Sequence, residues 1–202
     1  MFLLILITCG LILWVQKSVR VHPFLVSINN ITGQWELVGH KHHEYQTMTT
    51  DQTLQESLIT KFIQNWFLIS GDADINNALW QSCSRESECT ADAQATKKLH
   101  QCDIFCNTDE TTFNEFINNV VPQYQALVAN NVQHMLDENS VHLIQIGTSA
   151  ETGNIWQVNA TLISNAMPPV QLLIYVTVMK DTENYPQTMG YYVASLNAYK
   201  IN

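Results

Sequence analysis

Apolar and polar residues alternate through most of the last third of the chain, and this pattern predicts a β-sheet. Four segments carry it, at residues 141–146, 155–163, 170–179 and 191–199. A period of two with one apolar side is typical of antiparallel strands that are covered on one face and open to water on the other. Turn-forming residues at 151–154 and 167–169 separate the central segments. We therefore predict a four-stranded antiparallel sheet.

The region before this sheet has the periodicity of helices. Apolar residues recur at every third or fourth position over residues 51–69, which predicts a long helix with one buried side. Such a helix is about 28 Å long, enough to cross the sheet. Shorter helices are predicted at 72–79 and 112–130, the latter divided by Pro122, with a last turn at 132–136. Helices followed by an antiparallel sheet make an α+β domain.

Trp66 and Phe67 near the end of the long helix have two interpretations. They form either part of the core or a ligand platform, and a stripe at helical spacing favours the core.

The first sixteen residues are almost wholly apolar and predict a membrane anchor. Its side chains are Phe2, Leu3, Leu4, Ile5, Leu6, Ile7, Leu11, Ile12, Leu13, Trp14 and Val15. As a helix this run spans about 21 Å, less than the roughly 30 Å of a bilayer core. We therefore expect the native chain to begin upstream of Met1. Cleavage as a signal peptide and lipid attachment at Cys9 are the alternatives to an uncleaved anchor.

Three regions follow from these patterns: the anchor at 1–16, a connector at 17–50 and an α+β domain at 51–202. The connector contains two short extended runs, 24–28 and 34–38, around a turn, which predicts a hairpin. His40 and His42 in the connector form a possible metal pair. A solvated polar segment is favoured instead, because no carboxylate or cysteine at suitable spacing completes a site.

The charge of the chain excludes one class of partner. The chain has 18 acidic and 9 basic residues, a formal net charge of −9. Binding to a nucleic-acid backbone requires clusters of Lys and Arg, and the sequence contains none. We therefore expect no nucleic-acid binding.

Four of the five cysteines lie close together in a polar stretch. Cys83, Cys89, Cys102 and Cys106 fit either two disulfides or one zinc site. The intervening gaps of five and three residues differ from the C-x2-C spacing that is common in zinc sites. Disulfides are favoured, and they predict an oxidising compartment such as a bacterial periplasm. Three pairings remain open.

The sequence contains no motif for catalysis or for a cofactor. The inward positions of the predicted sheet are apolar, so they offer no acid or base to a pocket: Trp156, Val158, Leu172, Ile174 and Val176. His134 and His142 fall at the entrance of the sheet and are expected at the surface, and Asp72 and Asp74 are expected to be solvated. We expect neither enzymatic activity nor a cofactor or metal.

Three segments carry a resemblance to a known family. Residues 23–33 are similar to a stretch ending in Thr-Gly that follows a membrane anchor, and residues 51–69 match a long first helix. Asn184, Pro186 and Gly190 resemble an Asn-Pro-x-Gly turn into a last strand, with extra residues inserted. The chain thus resembles the VirB-eight-like inner-membrane components of type IV secretion systems, whose relatives include TrbF and IcmL/DotI. The cysteine-bearing insertion is not typical of that family.

The resemblance implies a nuclear-transport-factor-two-like cone, in which a long N-terminal helix packs in a curved four-stranded antiparallel sheet after one transmembrane helix. It implies a non-enzymatic, single-pass scaffold of the bacterial inner membrane, with its C-terminal domain in the periplasm. Such a subunit self-associates and contacts other subunits of a secretion or conjugation channel. The candidate contact surfaces are the outer side of the long helix and the last strand, with Tyr191, Tyr192 and Tyr199.

Two alternatives use the same fold. One is an exported ligand-binding module or lipoprotein. The other is a small pocket enzyme of the isomerase or dehydratase type, which would need an open cavity with a polar floor between helix and sheet.

Overall fold

The computed structural model describes residues 25–28, 35–38, 50–90, 100–149 and 153–201. The chain divides into two compact units, Met1–Glu44 and Tyr45–Asn202. In the first unit, β1 (Leu25–Ile28) and β2 (Trp35–Val38) pair in antiparallel fashion at the place of the predicted hairpin.

The second unit begins with helices. They are α1 (Thr50–Trp66), α2 (Ala73–Trp80), α3 (Arg85–Glu88), α4 (Asp103–Cys106), α5 (Glu110–Glu115) and α6 (Val121–Ala129). The Asp72 carboxylate caps α2 by accepting from the Asp74 amide. A π-helical turn, Phe116–Val120, separates α5 from α6, and Pro122 follows at the start of α6. The predicted division of this helix near Pro122 is confirmed.

The long helix α1 ends at Trp66, three residues earlier than predicted. The reason lies in the groups that follow. Ile69 forms an antiparallel bridge with His134, so its backbone amide donates to the His134 carbonyl at 2.9 Å and its own carbonyl accepts in return. The Tyr124 hydroxyl donates to the Trp66 carbonyl at 3.1 Å. These partners replace the hydrogen bonds of a further helical turn.

Five strands form the main sheet, one more than predicted. They are β3 (His134–Leu136), β4 (His142–Ser149), β5 (Gly153–Ser164), β6 (Val170–Lys180) and β7 (Tyr191–Ile201). Both β3 and β4 pair with β5, on which β6 and then β7 follow, all antiparallel. The helical turn predicted at 132–136 is wrong. β5 extends beyond β4, and β3 pairs with its otherwise unpaired end.

The sheet is curled, and two irregularities accompany its curvature. The register shifts between Gln145 and Gly147 on β4 and between Thr177 and Val178 on β6. Such bulges bend a strand and increase its twist. Together with α1 this gives an α+β unit with a half-barrel sheet, and the predicted fold class is confirmed to that extent.

The core lies between α1 and the inner face of the sheet. Ile59, Phe62 and Ile63 on α1 are at most 1% exposed, as are Trp156 and Val158 on β5. Trp66 and Phe67 are also buried, so the core interpretation of this pair holds. Each large apolar side chain buried in this way stabilises the fold by about 1.5–3 kcal/mol.

Candidate interaction surface

The space inside the curled sheet, where a pocket enzyme would place its chamber, is occupied by side chains. Trp156 lies there at 1% exposure, and its indole Nε1 donates to Gln55 Oε1 at 3.0 Å. The same Gln55 oxygen accepts from Asn154 Nδ2 at 2.8 Å. Gln55 is thereby satisfied by two donors from the sheet, and it fastens α1 to β5.

His134 is buried, and the expectation that it lies at the surface is wrong. Its alternation with Met135 in β3 turns its ring inward, where Nδ1 lies 2.7 Å from the Phe67 carbonyl oxygen. The ring packs edge-on against Tyr124 at 5.1 Å. Burial lowers the pKa of His134, which keeps it neutral at physiological pH. His142 is exposed, as expected.

A buried carboxylate joins α1 to α4. Asp103 Oδ1 accepts from Lys61 Nζ at 3.3 Å, and Asp103 Oδ2 accepts from Asn65 Nδ2 at 3.1 Å. His100 Nδ1 lies 3.7 Å from the same Oδ2. Burial acts to raise the pKa of Asp103, but His100 and Lys61 outweigh it and hold this pKa below its ordinary value. The Asp103 carboxylate is therefore charged and links α1 to α4.

Two disulfides cross-link the polar segment that contains the four clustered cysteines. Cys83 is bonded to Cys102, and Cys89 is bonded to Cys106. Among the described residues, the carboxylate of Glu88 lies near enough to the first pair of sulfurs for a three-ligand metal group. Those sulfurs are used in the disulfide and are not thiolates, the form that binds zinc. The structure thus selects disulfides and one of the three pairings left open by the sequence.

Arg85 connects this disulfide-bonded segment to the turn before β7. Its guanidinium lies over the rings of Phe105 and Tyr185, at 4.7 and 4.8 Å from the ring centres. Its Nη2 donates to the Thr108 carbonyl at 2.6 Å. Tyr185 also stacks on Tyr192, with ring centres 4.3 Å apart. Burial raises the pKa of the Tyr185 hydroxyl to about 12, and this hydroxyl donates to the same Thr108 carbonyl.

The segment that resembles the family turn connects β6 to β7. Asn184 Nδ2 donates to the Asp181 carboxylate at 2.6 Å, and Pro186 starts a short 3-10 turn, Pro186–Thr188. Gly190 has φ +92°, and a Cβ added there would lie 2.8 Å from a Thr182 side-chain carbon. The three family-turn residues therefore shape one connection, and this turn presents the exposed side chain of Met189.

The last strand is covered along one half only. Thr108 bridges Val193 in parallel, and the Thr112 hydroxyl donates to the Ala194 carbonyl at 2.7 Å. From Asn197 to the end of β7 the residues are exposed. β7 ends the strand order of the main sheet, so this second half offers a free edge to another strand.

The three tyrosines predicted as contact residues do not share one environment. Tyr191 is buried and packs under Lys180, whose Nζ lies 4.7 Å from the ring centre. Tyr192 is half-buried against Tyr185, and Tyr199 is 56% exposed. Among them, Tyr199 is the most exposed.

The outward side of the sheet is an open surface, which we call the outer sheet face. It comprises the odd-numbered residues of β5 from Ile155 to Ile163 and of β6 from Gln171 to Met179. The residues paired with them complete it: Met135, His142, Ile144, Gly147, Tyr192, Ser195, Asn197, Tyr199 and Ile201. All are exposed or half-buried, whereas the positions between them on β6, such as Ile174 and Val176, are buried.

A cleft lies between α2 and α6, and Trp80 and Val128 of its lining also pack against the core. Ala73, Asn77, Trp80, Gln125 and Val128 contribute to its walls. The Trp80 indole Nε1 is buried there without a hydrogen-bond partner. With about 270 Å³ of free space it is slightly smaller than the ligand pockets typical of proteins, which start near 300 Å³.

Several predicted features lie outside the described residues. They are the anchor side chains of residues 2–15, Cys9, and the His40–His42 pair. None of the helices in the described ranges combines the length and apolar character needed to cross a bilayer.

Sequence reasoning missed the three residues that join elements across the fold: Gln55, Arg85 and Asp103. Gln55 and Asp103 had one available signal. Gln55 is a polar residue beside the predicted inner stripe of the long helix. Asp103 is a polar residue beside a short apolar run, Ile104 and Phe105. Arg85 is surrounded by polar residues in sequence, so no local pattern marks its aromatic contacts.

No protein-family model matches the chain. No curated protein matches it. A solved structure to which the chain is similar is that of the VirB8 protein of Agrobacterium tumefaciens. The match covers 78% of this chain and 98% of that chain, at 10% identity and a TM-score of 0.46. This is the family that the sequence motifs resemble; the likeness to TrbF and IcmL/DotI stays a prediction.

Proposed function

We propose that the chain is a non-enzymatic scaffold subunit of a type IV secretion or conjugation channel. It is held in the bacterial inner membrane by residues 1–16, and its α+β domain lies in the periplasm. There it self-associates and contacts other channel subunits. The assignment to this type of channel is supported by the family resemblance of residues 23–33, 51–69 and 184–193.

The observation that carries the scaffold role is the filled interior. Phe62, Trp156 and Ile174 occupy the space between α1 and the sheet, each at most 1% exposed. The polar groups that reach this interior, Gln55 and His134, are engaged by the sheet and by the backbone. A domain without an open chamber acts through its surfaces.

The two disulfides support the periplasmic location. Disulfides persist in oxidising compartments and are rare in the cytosol. The polar segment 83–106 has few apolar residues of its own. Among its described residues, 83–90 and 100–106, the buried side chains are Cys89, Cys102 and Cys106 together with Asp103 and Ile104. Its packing therefore depends on the cross-links.

Deletion and complementation in the host bacterium test this function. Deleting the reading frame is expected to abolish substrate transfer through the cognate channel, and the full chain supplied in trans is expected to restore it. A chain lacking residues 1–16 should not restore transfer, because it lacks the anchor. Unchanged transfer by the deletion strain would refute the proposal.

The cleft between α2 and α6 favours a second candidate function, an exported ligand-binding module. Trp80 contributes to the wall of this cleft, and its indole N–H is buried without a hydrogen-bond partner. Such a module predicts that a small ligand from periplasmic extract shifts the melting temperature of the full chain, and that Trp80→Phe, which keeps the ring but removes the donor, abolishes the shift.

A further inference from the structure

The outer sheet face differs from the rest of the molecule in its charge. The chain carries 18 acidic and 9 basic residues, yet none of the described residues on this face is Asp, Glu, Lys or Arg. Charged residues make up 13% of the whole chain. The nearest lysines on these strands, Lys180 and Lys200, occupy inward register positions opposite Tyr191 and Leu172.

The composition of this face is that of a protein interface. Amides and hydroxyls such as Gln157, Asn159 and Thr161 occupy its centre, on β5. Exposed apolar side chains surround them: Ile144 at 55%, Met135 at 47%, Tyr199 at 56% and Ile201 at 45%. Interface cores are depleted in Lys, Glu and Asp and enriched in Tyr and Met.

The net charge of the chain limits which surfaces of two copies can meet. Two copies that each carry −9 repel one another wherever their acidic groups meet. A two-fold symmetric contact places one surface patch against the same patch of the other copy. A patch without ionised side chains can meet itself without bringing like charges together.

The face is also large enough for a pair of copies. It is four strands wide and about eight residues long, which gives roughly 19 Å by 26 Å at the usual strand spacing and rise. This flat area is about 500 Å², which is of the order of the 800 Å² or so that a standard interface takes from each partner.

We propose that the outer sheet face binds the outer sheet face of a second copy of the chain, in a two-fold symmetric pair. This rests on the proposed self-association and assigns it a surface. The surface differs from those expected from the sequence, which were the outer side of α1 and the edge of β7.

Photo-cross-linking of the full chain in membranes tests the surface. A benzoylphenylalanine replaces Tyr175, an aromatic residue at the centre of the face, in cells that express two differently tagged copies. The expected product is a dimer that carries both tags. The same cross-linker at Asn114, an exposed position on α5, is the control and should give no such dimer.

Charge substitution of nearly equal size tests the mechanism. Asn159→Asp places like charges against each other in a symmetric pair, and is expected to weaken self-association of the purified full chain at least about tenfold in sedimentation. Asn114→Asp adds the same charge elsewhere and should leave association unchanged. The melting temperature of both variants reports whether they fold, and the cross-linking result stands if Asn159→Asp does not.

Three outcomes would overturn the inference. They are a dimer trapped from Asn114 but not from Tyr175, association of Asn159→Asp equal to that of the unaltered chain, and a cross-link from Tyr175 to residues 1–49 or to another protein. None of these bears on the transfer phenotype of the deletion strain, so the inference and the proposed function fail separately.

Discussion

Two buried titratable side chains join the helices and the sheet, and the pKa of each is lowered in the folded protein. Asp103 is charged and binds Asn65 and Lys61 across α1 and α4. His134 is neutral and binds the Phe67 carbonyl at the end of α1. Both groups favour the folded state at neutral pH, because the unfolded chain binds their protons more readily than the folded chain does.

The lowered pKa of His134 predicts acid sensitivity. Its stabilising contribution is fully present above the unfolded pKa of about 6.5 and is lost as pH falls through the folded pKa. The free energy of unfolding of the full chain is expected to decline as pH falls from about 6.5 to 5. His134→Gln, which keeps a hydrogen-bonding side chain without this titration, should decline less steeply in urea titrations over that range.

His142→Gln is the matched control for this pH dependence, since His142 is exposed. It should follow the slope of the unaltered chain. Equal slopes for all three proteins would show that His134 does not carry the effect.

At the scale of elements, the connection between β6 and β7 depends on one backbone conformation. Gly190 lies in the left-handed region at φ +92°, and Thr182 backbone atoms lie 3.1 Å from the position of an added Cβ. An L-residue there is strained by its conformation and by this contact. Gly190 immediately precedes β7, so strain at this position is expected to disturb the start of the strand.

Gly190→Ala is therefore expected to lower the free energy of unfolding by about 1–3 kcal/mol in urea denaturation. Gly147→Ala is a suitable control, since a Cβ there meets Ile155 at an ordinary 3.7 Å and its φ is not positive. That change should be close to neutral. Equal effects of the two substitutions would mean that the turn is not constrained as described.

The elements also show how far the sequence could predict the fold. Period-two alternation located β5, β6 and β7 within about two residues. One face of β5 and of β6 is buried along most of the strand, whereas β7 is buried only at alternate positions of its first half. The three-residue β3 was missed, because it contains too few residues to show a period. Its identity depends on pairing with β5, a contact about thirty residues away along the chain.

The candidate site was predictable only in part. The clustering of the cysteines in sequence predicted disulfides. Their pairing was not predictable, because it depends on how α3 packs beside α4. The tyrosines of β7 were predicted by residue type, whereas the side to which each ring points follows from the register shift at Thr177 and Val178. The charge-free outer sheet face appears only when strands from five segments are placed side by side.

On the scale of the whole molecule, the disulfides define which thiols the isolated protein exposes. With Cys83, Cys89, Cys102 and Cys106 bonded, one thiol of the five, Cys9, remains. A thiol assay under denaturing, non-reducing conditions is expected to count one thiol per full chain, and five after reduction. A count of five before reduction would contradict both the disulfides and the export that they support.

The second unit, Tyr45–Asn202, thus has a packed core and a wide open sheet face without charged residues at its described positions. An open face without charged residues is suited to contacts with other proteins. The proposed scaffold role rests on where the side chains lie and not on any single reactive group.

Cross-linking of the full chain in the membranes of its host is the most direct test of this account. The protein is fixed with formaldehyde in living cells and purified under denaturing conditions, and the attached proteins are identified by mass spectrometry. The account predicts adducts that contain a second copy of the chain and envelope subunits of a secretion channel. Recovery of the chain alone, with neither class of adduct, would contradict it.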